Sequence, residues 1–196
     1  MITIVSGLPR SGTSLMMQML HAGGLAILSD GERQADADNP RGYFEWERIK
    51  QLSNDPGCIA EAEGKVVKVI SQLLLCLPAK HEYRIIFMQR PLEEVMASQE
   101  EMLRHRGTFK AGTDTALLLG AFQKHLLEVN AWLGHLPRGS VFRISYRRVL
   151  QAPVEVTEEL GRFLQVTLDV EAMRRQVDPR LYRNRSNEGQ SGAGAA

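Results

Sequence analysis

Residues 2–20 read ITIVSGLPRSGTSLMMQML, and this stretch decides the fold. Ile2, Ile4 and Val5 make a short β-rich run. Gly7 to Thr13 is a loop with two glycines and a proline. From Ser14 the pattern turns helical, with Leu15, Met16, Met19 and Leu20 on one face. Strand, glycine loop and helix in that order form an anion cradle. Backbone N–H groups and the positive end of the helix dipole converge on one point. Gly7 and Gly12 have the spacing of a Walker loop, which continues with Lys and then Ser or Thr. Here Thr13 stands in the lysine position, and the cation lies upstream at Arg10. A loop without that lysine lacks a main contact to the β- and γ-phosphates of a triphosphate. It suits phosphate without suiting a magnesium triphosphate.

Working outward, strands and helices alternate. The first helix runs to about His21, where Gly23 and Gly24 stop it. Leu25 to Leu28 reads as a short strand, and Ser29 to Arg41 as a long polar loop of the kind that often carries function. Glu47 to Leu52 looks helical. VVKVI (66–70) is a buried strand broken by Lys68. Ser71 is placed to cap a short helix through Leu77. RIIFM (84–88) is the cleanest central strand, and a helix opens at Pro91 and runs to about Arg106. Thr113 or Asp114 caps a long helix to about Leu133. Ser140 to Ile144 is a strand, and Pro153–Leu164 and Leu168–Val177 are helices. This alternation predicts an α/β, three-layer, P-loop-like fold with a central parallel sheet and helices on both faces. Ligands of such sheets bind at the carboxyl ends of the strands.

A chain of 196 residues suits one domain. We read residues 1–185 as that domain and 186–196 as a disordered tail, low in complexity from Gly189. A formal net charge of +1 gives no general attraction to nucleic acid. No apolar run approaches the length of a membrane span, and the opening strand leaves no room for a signal peptide. Cys58 and Cys76 have no metal-ligand spacing and read as reduced thiols, which implies a cytoplasmic protein.

PRSGTS (residues 9–14) resembles the 5′-phosphosulfate loop of sulfotransferases that use 3′-phosphoadenosine 5′-phosphosulfate (PAPS), and Arg10 resembles their protein-tyrosine and bacterial branches. The resemblance covers roughly Ile2 to Arg185. It implies that Pro9, Arg10, Ser11, Gly12, Thr13 and Ser14 hold the donor, with no metal. RPLEEVMAS (90–98) matches the family's strand-end arginine and the serine eight residues later, which makes Arg90 and Ser98 the 3′-phosphate pair. A guanidinium fork grips a phosphate at two points and a hydroxyl adds one donor. Lys68 is similar to the strand lysine that reaches the phosphosulfate bridge; a lysine snorkelling at an edge strand is the other reading. Tyr146 is similar to a tyrosine near the adenine. Arg183 and Arg185, in DPRLYRNR (178–185), are similar to a basic segment that closes over the 3′-phosphate, or belong to a solvated basic tail.

Three departures matter. Many cytosolic members have Lys at the place of Arg10 and Trp at the place of Leu15. The histidine base of many small-molecule sulfotransferases falls on Ile70, so another group must act as base, or none. Glu45, flanked by Phe44 and Trp46, is the first candidate, and Glu32, in the segment where some members carry a carboxylate base, is the second. Tyr43, Phe44 and Trp46 suggest an apolar or ring-bearing acceptor. The acceptor and the oligomeric state are not encoded in any motif. A degenerate P-loop kinase or NTPase is the rival reading, and it predicts an acid after the central strand, where Gln89 and Arg90 stand. A non-catalytic nucleotide-binding module is the third.

Overall fold

A computed structural model describes residues 1–36, 39–108, 115–178 and 180. Five strands, β1 (Ile2–Gly7), β2 (Ile27–Leu28), β3 (Val66–Lys68), β4 (Tyr83–Gln89) and β5 (Val141–Ser145), form one sheet in the order β2-β3-β1-β4-β5. Every pairing is parallel. Six α-helices are described: α1 (Thr13–Ala22), α2 (Leu92–His105), α3 (Thr115–His135), α4 (Tyr146–Gln151), α5 (Pro153–Leu164) and α6 (Val170–Arg174).

The alternation of side chains along each strand assigns the two faces. Ile4, Ile85 and Phe87 pack with Trp46, Ile59, Val129 and Leu133 on the α3 side. Val5, Ile86 and Met88 pack with Met16, Leu20, Leu160 and Met173 on the α1 and α5 side. Both faces are therefore dry, which is why β1 and β4 read as nearly continuous apolar runs. Helix α1 is buried almost all round: Met16, Met17, Met19 and Leu20 are fully inaccessible. One apolar face was expected; α6 covers the other side, close enough that a Cβ on Gly23 would lie 2.6 Å from Met173 Sδ.

Several element boundaries move. The stretch after β3 is a 3-10 turn, Ser71–Cys76, preceded by Ile70 as its cap. The Ser71 hydroxyl does not cap it but bonds Nε2 of His125 at 2.9 Å. The strand stops at Lys68, and Ile70 is 42% exposed instead of buried. Glu47–Gln51 is also 3-10, and Pro56–Ala62 is a 3-10 segment that no periodicity announced. The last helix is shorter than predicted: Asp169 accepts from the N–H of Ala172 and starts it at Val170, and it ends at Arg174. Helix α4 was not expected; Ser145 caps it by accepting from Arg148 N at 3.2 Å. The capping residues proposed for α3, Thr113 and Asp114, lie outside the described residues, as do Arg183, Arg185 and the tail.

Candidate active site

The carboxyl ends of β1, β3 and β4 open into one cleft of about 340 Å³. Register explains the convergence: Val5 pairs with Lys68 and Gly7 with Met88, so the loop after β1 emerges between the ends of its two neighbours.

The loop is tight because other groups crowd its glycines. Gly7 has φ +152°, and a Cβ there would lie 2.6 Å from the backbone oxygen of Met88. Gly12 has φ +96°, and its Cβ would lie 2.4 Å from the Tyr146 ring. Arg10 adopts φ 69°, a left-handed backbone that costs a non-glycine residue about 1–3 kcal/mol and clusters at functional sites. Gly12 offers no side chain to cap α1, and there is no acid in the first turn, so the positive end of the helix faces the cleft without a side-chain cap. Pro9, Arg10, Gly12, Thr13 and Ser14 line the cleft. Ser11 does not. It is buried beneath the loop, its N–H donates to Leu8 O at 3.2 Å, and its hydroxyl has no hydrogen-bond partner among the described residues. The Ser11 N–H thus closes the turn.

The cations gather around this cradle. Arg10 Nε donates to Ser98 Oγ at 2.9 Å, a contact the sequence did not suggest. Arg90 Nη1 donates to the backbone oxygen of Arg10 at 2.9 Å, and the Arg90 guanidinium stands 5.1 Å from the Tyr146 ring centroid. Tyr146 is the first residue of α4 and 8% exposed. Lys68 is 8% exposed on β3, which lies between β2 and β1. It is no edge lysine. Its Nζ donates to Tyr43 O at 3.0 Å and Ser14 Oγ at 3.2 Å. Burial pulls its pKa down to about 8, partly offset by the charge of Glu45.

Glu45 also faces the cleft, but not among rings as the sequence suggested. Its carboxylate accepts from Arg33 Nη1 at 2.6 Å and lies 3.5 Å from Lys68 Nζ. The three aromatics diverge. Phe44 has φ 52° and packs on the α1 side near His21. Trp46 enters the opposite core. Only Tyr43 lines the cleft, and its ring is covered by Arg33 at 3.4 Å. Its hydroxyl donates to both oxygens of Asp36, at 2.7 and 2.8 Å. Burial, then that acid, raise its pKa. The expectation of an aromatic acceptor pocket is thus not met: Arg33, Asn39, Arg41, Gln99 and Arg106 stand around this end. Glu32 is exposed and lines no part of the cleft. Arg33, which no motif marked, is the residue sequence reasoning missed; its contacts with Tyr43 and Glu45 are set by the course of a loop.

Among the described residues no cluster of His, Cys, Asp and Glu is arranged to hold a metal, and no helix is long and apolar enough to cross a membrane. A P-loop-like cradle at the carboxyl edge of a parallel sheet, ringed by buried and half-buried cations, defines an α/β protein with a cationic cleft. The model of the sulfotransferase domain family matches residues 2–192, and the chain belongs to that family. Among solved structures it is similar to sulfotransferase STF1 from Mycobacterium tuberculosis H37Rv, with 16% identity, a TM-score of 0.62, and 91% of this chain covering 71% of that one. Mouse sulfotransferase SULT7A1 complexed with PAP gives 15% identity and a TM-score of 0.58, over 95% of this chain and 67% of that one. The sulfotransferase domain from the curacin biosynthetic pathway gives 15% and 0.53, over 90% and 77%. No curated protein matches the chain.

Proposed function

We propose that the protein transfers a sulfuryl group from PAPS to a hydroxyl or amine acceptor. The observation that carries this is the convergence of Arg10, Lys68 and Arg90 on a cradle that lacks the Walker lysine. The residues present fit the donor. The first turn of α1, with Gly12, Thr13 and Ser14, suits the 5′-phosphate end. Arg90 and Ser98 suit a 3′-phosphate, with Tyr146 beside them. The PAP in the mouse relative supports the same choice. PAPS supplies an activated sulfuryl group whose leaving oxygen gains negative charge.

The chain's own groups meet that charge. Lys68, largely protonated at pH 7, presents a desolvated ammonium beside Ser14. Fixed cations and N–H donors need no reorganisation as charge develops. Glu45, held by Arg33, is the proton acceptor for the incoming hydroxyl. Glu45→Gln keeps the size of the side chain and removes its basicity. It should bind PAP like wild type and lose turnover by about 10²–10⁴-fold. Turnover within a few-fold of wild type on an alkyl alcohol would remove Glu45 from the mechanism.

The test of the donor is binding. Calorimetry and thermal melts with PAP, adenosine 5′-phosphate and magnesium ATP separate the readings. PAP should bind most tightly, without metal, and adenosine 5′-phosphate more weakly for want of the 3′-phosphate. Preference for magnesium ATP would favour the kinase reading, which the absence of an acid after β4 already weakens. Binding of PAP with no turnover on any acceptor would leave a non-catalytic module.

A further inference from the structure

Glu94 is among the most deeply buried charged groups of the described residues, at 2% exposure, and the proposed reaction has no direct use for a carboxylate there. It sits one helical turn after Arg90. Its Oε2 accepts from Arg90 Nε at 2.9 Å. Its Oε1 lies 3.7 Å from Arg147 Nη2, on the opening turn of α4. Arg90 is itself only 7% exposed in its side chain, and its Nη1 is taken by the backbone oxygen of Arg10. Two edges of the guanidinium are therefore fixed, one by Glu94 and one by the phosphate loop. Burying a carboxylate is costly unless it is paired and hydrogen-bonded. The pairing here is with the residue that the proposed function assigns to the 3′-phosphate.

We propose that Glu94 is a positioning residue for the 3′-phosphate end of the donor. Its carboxylate sets the plane of the Arg90 guanidinium and ties α2 to α4, so that Arg90, Ser98 and Tyr146 keep one arrangement. This rests on the reading of PAPS as donor. A guanidinium locked in advance loses less freedom when it grips a phosphate. Two arginines to one carboxylate leave the cluster positive, so the acid orients without cancelling the attraction.

The readout is the ratio of the dissociation constants of adenosine 5′-phosphate and PAP, measured by calorimetry. That ratio isolates the 3′-phosphate; a general loosening of the fold moves both constants together. Glu94→Leu, similar in volume and without an acceptor, should lower the ratio roughly tenfold, the size of one charge-assisted contact. In an Arg90→Ala background the same change should lower it no further. Should Glu94→Leu fail to fold, Glu94→Gln keeps an acceptor oxygen and should show a smaller fall in the ratio. A wild-type ratio well above one that either folded variant leaves untouched overturns the proposal. A wild-type ratio near one overturns the donor reading, and this inference with it.

Discussion

The ammonium of Lys68 stands on an interior strand, with the Tyr43 carbonyl and the Ser14 hydroxyl as its hydrogen-bond partners. Burial lowers its pKa from 10.5 to about 8. At about 1.36 kcal/mol per pH unit, this is a destabilisation on the order of 3 kcal/mol wherever the folded protein keeps the charge. The sign follows from proton counting. Between pH 8 and 10.5 the unfolded chain holds a proton that the folded chain has released, so stability rises with pH through that window. Below pH 8 the full cost is present. Lys68→Met should therefore raise the melting temperature at pH 7 by several degrees, at roughly 2–4 °C per kcal/mol. The gain should close by about pH 10.5, and turnover should be lost at every pH. A melt of Lys68→Met below that of wild type at pH 7 would return the lysine to a structural role. The same titration should make wild-type turnover fall as pH rises through about 8. That a lysine lies inside VVKVI is visible in the sequence. That Glu45 and Arg33 come to meet it is not, because a polar loop has no period from which its path can be read.

At the scale of elements, β1, the glycine loop and α1 were readable because each obeys a local rule: an apolar run, glycines where φ is positive, and a 3.6-residue repeat. Gly12 shows how local rule and distant contact combine. Its φ of +96° marks a turn, while the Tyr146 ring at 2.4 Å from its missing Cβ comes from α4. Gly12→Ala should destabilise the fold by about 1–3 kcal/mol through strain and overpacking. It should also weaken PAP binding, since Tyr146 must move from beside Arg90. Denaturant melts and calorimetry on the same sample check both, and an alanine variant with wild-type values in each would mean that the loop is pliant. The 3-10 segments were missed for the opposite reason. Short turns such as Pro56–Ala62 carry no amphipathic repeat. Helix α4, opening Tyr146-Arg147-Arg148, is too short and too basic to look different from a loop.

At the scale of the molecule, the parallel architecture and the edge of the sheet at which the cleft opens followed from the alternation of strands and helices. The strand order did not, because pairing partners far apart in sequence leave no signature in a single chain. The order places β1 between β3 and β4, with Ile2 opposite Tyr83 and Thr3 opposite Val66. The cleft is therefore built from segments that meet only in the finished sheet. A ligand that spans them reports on global stability. PAP at a hundred times its dissociation constant should stabilise the fold by about 2.7 kcal/mol, the effect the melts of the donor test are expected to read.

The central position of β1 also has a consequence for how the chain is made. The strand leaves the ribosome before either neighbour exists. Synthesis proceeds at about 5–20 residues per second, so β1 waits roughly 4 to 16 seconds for β4 to be polymerised. In that interval Ile2, Ile4 and Val5 have no strand to pair with, and the glycine loop has nothing to be braced against. Pairings this distant close slowly. The nascent chain thus exposes apolar segments of the kind a holdase shelters, and the cleft cannot form until β4 has been made.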